Sequence, residues 1–211
     1  IADFDLRLAY GSAAWYRLAL ALLAGLPAAT RPRLVVWQSE PLPPPRAAGL
    51  PAPRLPLREV VKIAIRDDRA TDPYTNLRAL RALAQGGLPD RLVVTSHGAA
   101  ESLAEHGIAA DVVPIGRYPN HGRDLALERD IDVLFVGALE VPRRRRALRA
   151  LRKRGLAVEA VGAWDDRGVW GEERIHLVNR ARIFVNLSRH LGQFSGERLL
   201  LGMANRALVV S

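Results

Sequence analysis

Ser195, Gly196, Glu197 and Arg198 stand where an apolar strand and a loop give way to a helix. The start of a helix presents unpaired backbone N–H groups and the positive end of its dipole. Gly196 permits close backbone approach, and Arg198 can fork onto a phosphate. Two further stretches offer the same chemistry. Gly137 closes the apolar run IDVLFV, and Arg143 with Arg144 opens the helix that follows. The loop after Val161 carries Gly162 and Trp164, a backbone turn and a flat ring suited to a nucleobase. Each has a plainer reading: an ordinary helix cap, a solvated basic helix face and a buried hydrophobic anchor.

Other reactive residue types fall short of a pattern. The histidines at 97, 106, 121, 176 and 190 lack the spacing of a metal set. Asp130 and Asp132 flank the start of a strand and read as solvated, whereas ligands of parallel sheets sit beyond strand C-termini. Asp165 and Asp166 lie at a strand end, in what reads as an ordinary loop. No metal site is expected. There is no GxGxxG, GxxxxGK[ST], HExxH or GxSxG segment, which disfavours nicotinamide dehydrogenases, P-loop NTPases, zincins and α/β-hydrolases.

The elements that must position these residues follow from periodicity and punctuation. In the first half, Asp5–Ala9 and Arg33–Trp37 read as strands, the latter buried, with a helix from Ser12 to Leu23 between them. A proline-dense stretch, Pro41–Pro56, precedes helical spacing over Arg58–Asp67 and a helix from Asp72 to Ala84. A strand Arg91–Val94, a helix Ser96–His106 and a strand Ile108–Val113 complete the first half. Tyr118–Arg129 is polar and reads as a linker, giving domains over 1–117 and 131–211 with the linker at 118–130. In the second half, strands at Ile131–Val136, Ala157–Val161, Ile183–Leu187 and Ala207–Val210 alternate with helices at Arg143–Arg154, Glu172–Arg182 and Glu197–Asn205. That alternation predicts an open parallel sheet with right-handed crossovers, and two such units make an α/β protein of two Rossmann-like domains.

The 211 residues carry a formal charge of +9, and lysine occurs only at Lys62 and Lys153. A basic surface of this kind suits solubility before function. Sparse aromatics without a stacking cluster argue against a nucleic-acid partner. The absence of cysteine excludes disulfides and fits a reducing, cytoplasmic compartment. The apolar run Leu18–Leu26 is too short to span a bilayer, which leaves peripheral membrane contact open. The opening Ile1 and the closing Ser211, directly after an apolar strand, read as cut ends, so both domains are expected to be incomplete.

The segments DVLFVGAL, LRALRKRGLAVEAVG, LVNRARIFVNLSR and RLLLGMANRALVVS resemble the donor-binding domain of GT-B glycosyltransferases, closest to the bacterial family 1 or CgeB-like group. The stretch RLVVTSHGAAESLAEHGI resembles the approach to the interdomain linker in the same fold. The resemblance runs from about Arg91 to Ser211 and more loosely from Arg33. It implies a metal-independent transferase that needs no cofactor, takes a nucleotide-diphosphate sugar as donor and has an unknown glycan, lipid or protein acceptor. The family pattern falls on Gly137, Arg143, Asn179 and Arg198, and the residues read above add Gly162, Trp164, Ser195 and Gly196 as donor-binding candidates. Glu40, after the strand Arg33–Trp37, is the candidate base. Two positions depart from the family pattern: Leu201 replaces the acid that holds the donor ribose, and Arg206 replaces a turn glycine. The alternative is a non-catalytic relative that binds an anionic ligand or partner.

Overall fold

The computed structural model describes residues 4–6, 12–27, 29–52, 55, 57–65, 72–162, 169–189 and 196–211. The chain divides into two units, one built from residues up to Pro114 and the other from Ile115 onward. Each is a parallel sheet with connecting helices, as the alternating apolar pattern predicts.

The first unit contains β1 (Phe4–Leu6), α1 (Ser12–Leu23), β2 (Leu34–Gln38), α2 (Leu57–Ala64), α3 (Pro73–Gln85), β3 (Arg91–Val94), α4 (His97–Ala104) and β4 (Asp111–Val112). Its strands lie in the order β1-β2-β3-β4, all parallel. Consecutive order with right-handed crossovers sends every connecting helix to the same face. β2 records this directly. Leu34, Val36 and Gln38 are buried, while Val35 and Trp37 are 43% and 44% exposed. The expectation of a buried strand there is therefore corrected: one face of β2 is buried and the other is partly exposed. The core on the covered face joins Leu34, Val36 and Val94 to Tyr16 and Ala19 of α1, Leu77, Leu80 and Leu83 of α3, and Leu103 of α4. Local signals fix the helix starts. Asp72 caps α3 by accepting from Tyr74 N (2.9 Å) and Thr75 N (3.0 Å), with Pro73 at the first helical position. Ser96 Oγ caps α4 by accepting from Ala99 N (3.3 Å).

The second unit contains β5 (Ile131–Val136), α5 (Pro142–Lys153), β6 (Val158–Val161), α6 (Gly171–Asn179), β7 (Ala181–Val185), α7 (Gly196–Ala204) and β8 (Leu208–Val210). Its order is β6-β5-β7-β8. The chain leaves β5 toward β6 and then returns across β5 to β7, so the winding reverses between β5 and β7. Right-handed crossovers then place α5 on one face and α6 and α7 on the other. Packing agrees: the Arg144 guanidinium of α5 lies over the Phe135 ring, while Leu134 shares a core with Phe184, Val178 of α6 and Leu201 of α7. α7 approaches the sheet at Gly202, where an added Cβ would stand 2.5 Å from Val209 Cγ2 and 2.9 Å from Phe184 Cδ1.

The helix expected over Glu172–Arg182 stops at Asn179, and β7 starts at Ala181 rather than Ile183. The reason is cross-strand pairing. Ile131 sits opposite Ala181, which brings Asp130 to Arg180 and Asp132 to Arg182 as exposed ion pairs.

The stretch 118–130, read above as a linker, is secured within the second unit. His121 is buried, its Nδ1 accepts from Tyr118 N (3.1 Å) and its Nε2 lies 2.8 Å from Glu197 Oε2. The backbone bond to Nδ1 places the proton of a neutral ring on Nε2. Asn205 Nδ2 donates to His121 O (2.8 Å), and Arg129 donates to Asn205 O (3.0 Å). No described helix is long and apolar enough to cross a membrane.

Candidate anion-binding site

The winding reverses between β5 and β7, and the C-terminal ends of these strands are the position where open α/β sheets hold ligands. The residues there are assembled from four elements. β5 runs into Gly137, whose φ is +149° and whose N–H donates to Val161 O at the end of β6 (2.9 Å). Gly162 follows β6 with φ +122°. A Cβ at Gly162 would lie 2.8 Å from Gly137 N and 3.0 Å from its C and O, so the two strand ends touch backbone to backbone.

Two guanidinium groups close on Gly137. A Cβ there would stand 3.4 Å from Arg198 Nη1 and 3.6 Å from Arg144 Nη1. Arg144, in the first turn of α5, is 5% exposed. Its Nε donates to Leu187 O (3.0 Å) and its Nη1 to Ala138 O (3.2 Å). Arg198, in the first turn of α7, donates from Nη2 to the same Leu187 O (2.8 Å) and from Nε to Asn186 Oδ1 (3.2 Å). Arg143 reaches the same loop, donating to Ser188 O (2.9 Å). The exposed Arg189 follows Ser188.

Burial and neighbouring positive charge set Arg144 and Arg198 apart within the unit. Arg123, Arg180, Arg182 and Arg206 each face a carboxylate. Among the described residues, Arg143, Arg144, Arg189 and Arg198 form no salt bridge. Burial pushes Arg144 down to about 10, the positive charges of Arg198 and Arg189 push in the same direction, and the Glu140 carboxylate pulls the other way. Burial, then Arg189, lowers Arg198 to about 10 as well. Like charges held together away from water disfavour their own charged forms. A bound anion reverses both effects and adds charge-assisted hydrogen bonds.

The structure gathers Gly137, Gly162, Arg143 and Arg198 at these strand ends, and Gly196 begins α7 beside Arg198. Asn179 is elsewhere. It ends α6, before β7 begins, and therefore lies at the opposite edge of the sheet. Its Oδ1 accepts from Leu125 N (2.7 Å), and its Nδ2 donates to Arg123 O (2.9 Å) and Asn205 Oδ1 (2.7 Å). These bonds occupy the amide in holding the 118–130 stretch. Trp164 and Ser195 lie outside the described residues. Glu40 belongs to the first unit, just past β2, where its carboxylate and above all burial raise the Tyr16 phenol. Leu201 is buried in the core with Leu134 and Phe184 and offers no polar atom to the site. Arg206 does occupy a glycine-type turn: its φ is +54°, and Arg206 N donates to Met203 O while Ala207 N donates to Gly202 O. This is the Schellman closure that Gly155 provides for α5.

Sequence reasoning missed the burial of Arg144 and the parts played by Asn186 and Arg189. The adjacency of Arg143 and Arg144 at a helix start was visible, but which of two neighbours faces the sheet depends on the helix phase. No group of three or more His, Asp or Glu side chains that could hold a metal ion occurs among the described residues. Compared with protein families, with curated proteins and with solved structures, the chain finds no match.

Proposed function

We propose that the second unit binds the diphosphate of a nucleotide sugar and that the chain acts as a GT-B glycosyltransferase. The observation that carries this reading is the pair of arginines, Arg144 and Arg198, held at Gly137 beside the strand reversal without a salt bridge among the described residues. Parallel α/β architecture in both units supports it, as does the resemblance of the segments around Gly137 and Arg198 to the donor domain of that group.

In this reading the acceptor oxygen attacks the anomeric carbon, and the bond from that carbon to the diphosphate oxygen breaks. The electron pair leaves with the diphosphate, where Arg144 and Arg198 stabilise the developing charge. The acceptor hydroxyl gives up its proton to a base. Gly137 and Gly162 keep the strand ends low, so that backbone N–H groups can approach the phosphates.

A second reading, an anion-binding relative without turnover, is favoured by one observation. Leu201 faces the core, so the position of the ribose-binding acid supplies no hydrogen bond. A thermal-shift series with inorganic pyrophosphate, nucleoside diphosphates and nucleotide sugars tests binding. Release of nucleoside diphosphate from a bound nucleotide sugar separates the two readings. Stabilisation by none of these compounds counts against both.

A further inference from the structure

The excess positive charge of the second unit sits on one helix. Of the 18 lysines and arginines from Ile115 onward, 8 fall between Pro142 and Arg154, a stretch without a carboxylate. The other 10 are offset by 11 aspartates and glutamates. Arg143 and Arg144 turn toward the strand ends beside Gly137. Arg145, Arg146, Arg149, Arg152 and Lys153 are exposed. At roughly 3.6 residues per turn these five fill about a third of the helix circumference. Arg144 and Leu148, on the opposite side, are buried against the sheet.

This placement works against the helix itself. Arg143 to Arg146 crowd the positive end of its dipole, and no acid stands in the first turn. Arg149 has like charges one turn away at Arg145, Arg146 and Lys153, a destabilising arrangement. Exposed arginines elsewhere in the unit have carboxylates: Arg123 has Glu172, Arg180 has Asp130 and Arg182 has Asp132. Among the described residues the five on α5 have none, and of the five only Arg152 makes a hydrogen bond, to Val158 O (2.9 Å). A local rule broken without a compensating contact inside the fold points to a contact outside it.

An anionic surface supplies that contact, and the geometry selects its shape. Among the described elements, α5 alone covers its face of the second sheet. Every exposed residue from Arg145 to Lys153 is cationic, so no ring is present there on which the bases of a single strand could stack. A helix packed along its sheet does not enter the groove of a duplex, and against that convex backbone it meets few phosphates. A plane of anionic headgroups meets the whole row at once. The apolar side of α5 is held by the sheet, so the contact is electrostatic and involves no insertion.

We propose that the outer face of α5 docks the second unit on an anionic lipid surface, with Arg145, Arg146, Arg149 and Lys153 over the headgroups. The inference uses the exposed residues of α5 and does not rest on the anion-site reading.

The test is co-sedimentation of the full chain with vesicles of phosphatidylcholine, with and without phosphatidylserine. Binding is expected only where phosphatidylserine is present, and it should fall steeply with added salt. Arg145→Gln together with Arg149→Gln should weaken it by about tenfold or more, and adding Arg146→Gln and Lys153→Gln should abolish it. Glutamine keeps the helix propensity, and relief of like charges should leave these variants at least as stable as the native chain in thermal unfolding. Arg180→Gln together with Arg182→Gln removes the same charge from paired sites and should leave vesicle binding within about twofold. The proposal is overturned if phosphatidylserine confers no binding, or if the two double variants weaken binding equally. Displacement of the chain from the vesicles by duplex DNA at the same phosphate concentration overturns it in favour of a nucleic-acid partner.

Discussion

The two sheets are made of the same parts and differ in their order. The first runs β1-β2-β3-β4 without a turn back, and the second runs β6-β5-β7-β8. Consecutive winding puts the helices of the first sheet on one face and leaves Trp37 and Val35 on the other exposed. Reversed winding places helices on both faces of the second. Charge follows the same division. Most of the excess positive charge falls beyond Pro114, and at the strand reversal it is arginine without a salt bridge among the described residues. At the corresponding strand ends of the first unit, the buried polar side chains among the described residues include Gln38, Asp72, Thr75 and Asn76, of which Asp72 is acidic. Topology decides where a ligand can sit, and the side chains at that edge decide which sign of charge it carries.

The largest effect that would break this contrast comes from backbone contact. Gly162→Val puts a branched side chain against the Gly137 backbone at a positive φ, and should destabilise the second unit by about 3 kcal/mol or more while the first unit keeps its fold. Urea unfolding followed by hydrogen exchange resolves the two units. Gly202→Val overpacks α7 against Phe184 and Val209 and should cost about 1–3 kcal/mol in the same measurement. Arg144→Met and Arg198→Met keep the apolar stem and remove the charge. Each should leave the stability of the unliganded protein within about 1 kcal/mol and weaken pyrophosphate binding by tenfold or more, as read by calorimetry. A cluster that served only the fold would show the opposite pattern. Arg206→Gly relieves the left-handed turn after α7 and gives up an exposed ion pair with Asp124. It should raise stability by up to about 1 kcal/mol.

The smallest effect concerns pH. Asp90 in the first unit accepts from Leu34 N (2.7 Å), and this bond, followed by the Arg31 charge, holds its carboxyl below the usual range. A lowered folded value means that the unfolded chain binds the proton first. The contribution of Asp90 is therefore complete above pH ~4 and fades as pH falls through the lower folded value. The stability difference between the native protein and Asp90→Asn should shrink between pH 6 and about 3. The buried arginines behave differently at neutral pH. Their folded values are lowered too, so stability rises with pH in their own window, above about 10. At neutral pH they are therefore a cost to the fold, which an anion offsets.

Much of the second unit was legible because its strands are short apolar runs, two of them closed by Gly137 and Gly162, and because Arg143 and Arg198 sit at element boundaries that propensity marks. The boundary of α6 was not. Arg180 and Arg182 continue a helical pattern, but ladder pairing with β5 and burial of Ala181 and Phe184 draw that segment into the sheet, with Asp130 and Asp132 as exposed partners. Asn179 was misleading for a similar reason. A lone asparagine before an apolar strand looks the same whether it faces a ligand or holds a distant loop, and here it bonds to Leu125, Arg123 and Asn205. The half-exposed β2 was hidden because alternation is masked when both faces of a strand carry Val, Leu and Trp. In the first unit, Asp72 was visible as a helix cap.

The central claim is that the buried arginines at the strand reversal exist to hold an anion. Titration of the protein with pyrophosphate and with a nucleoside diphosphate by calorimetry, alongside Arg144→Met and Arg198→Met, tests it most directly. Binding by the native chain that is lost in both folded variants is the predicted result. Binding that survives both substitutions, or a native chain that binds neither compound, would contradict it.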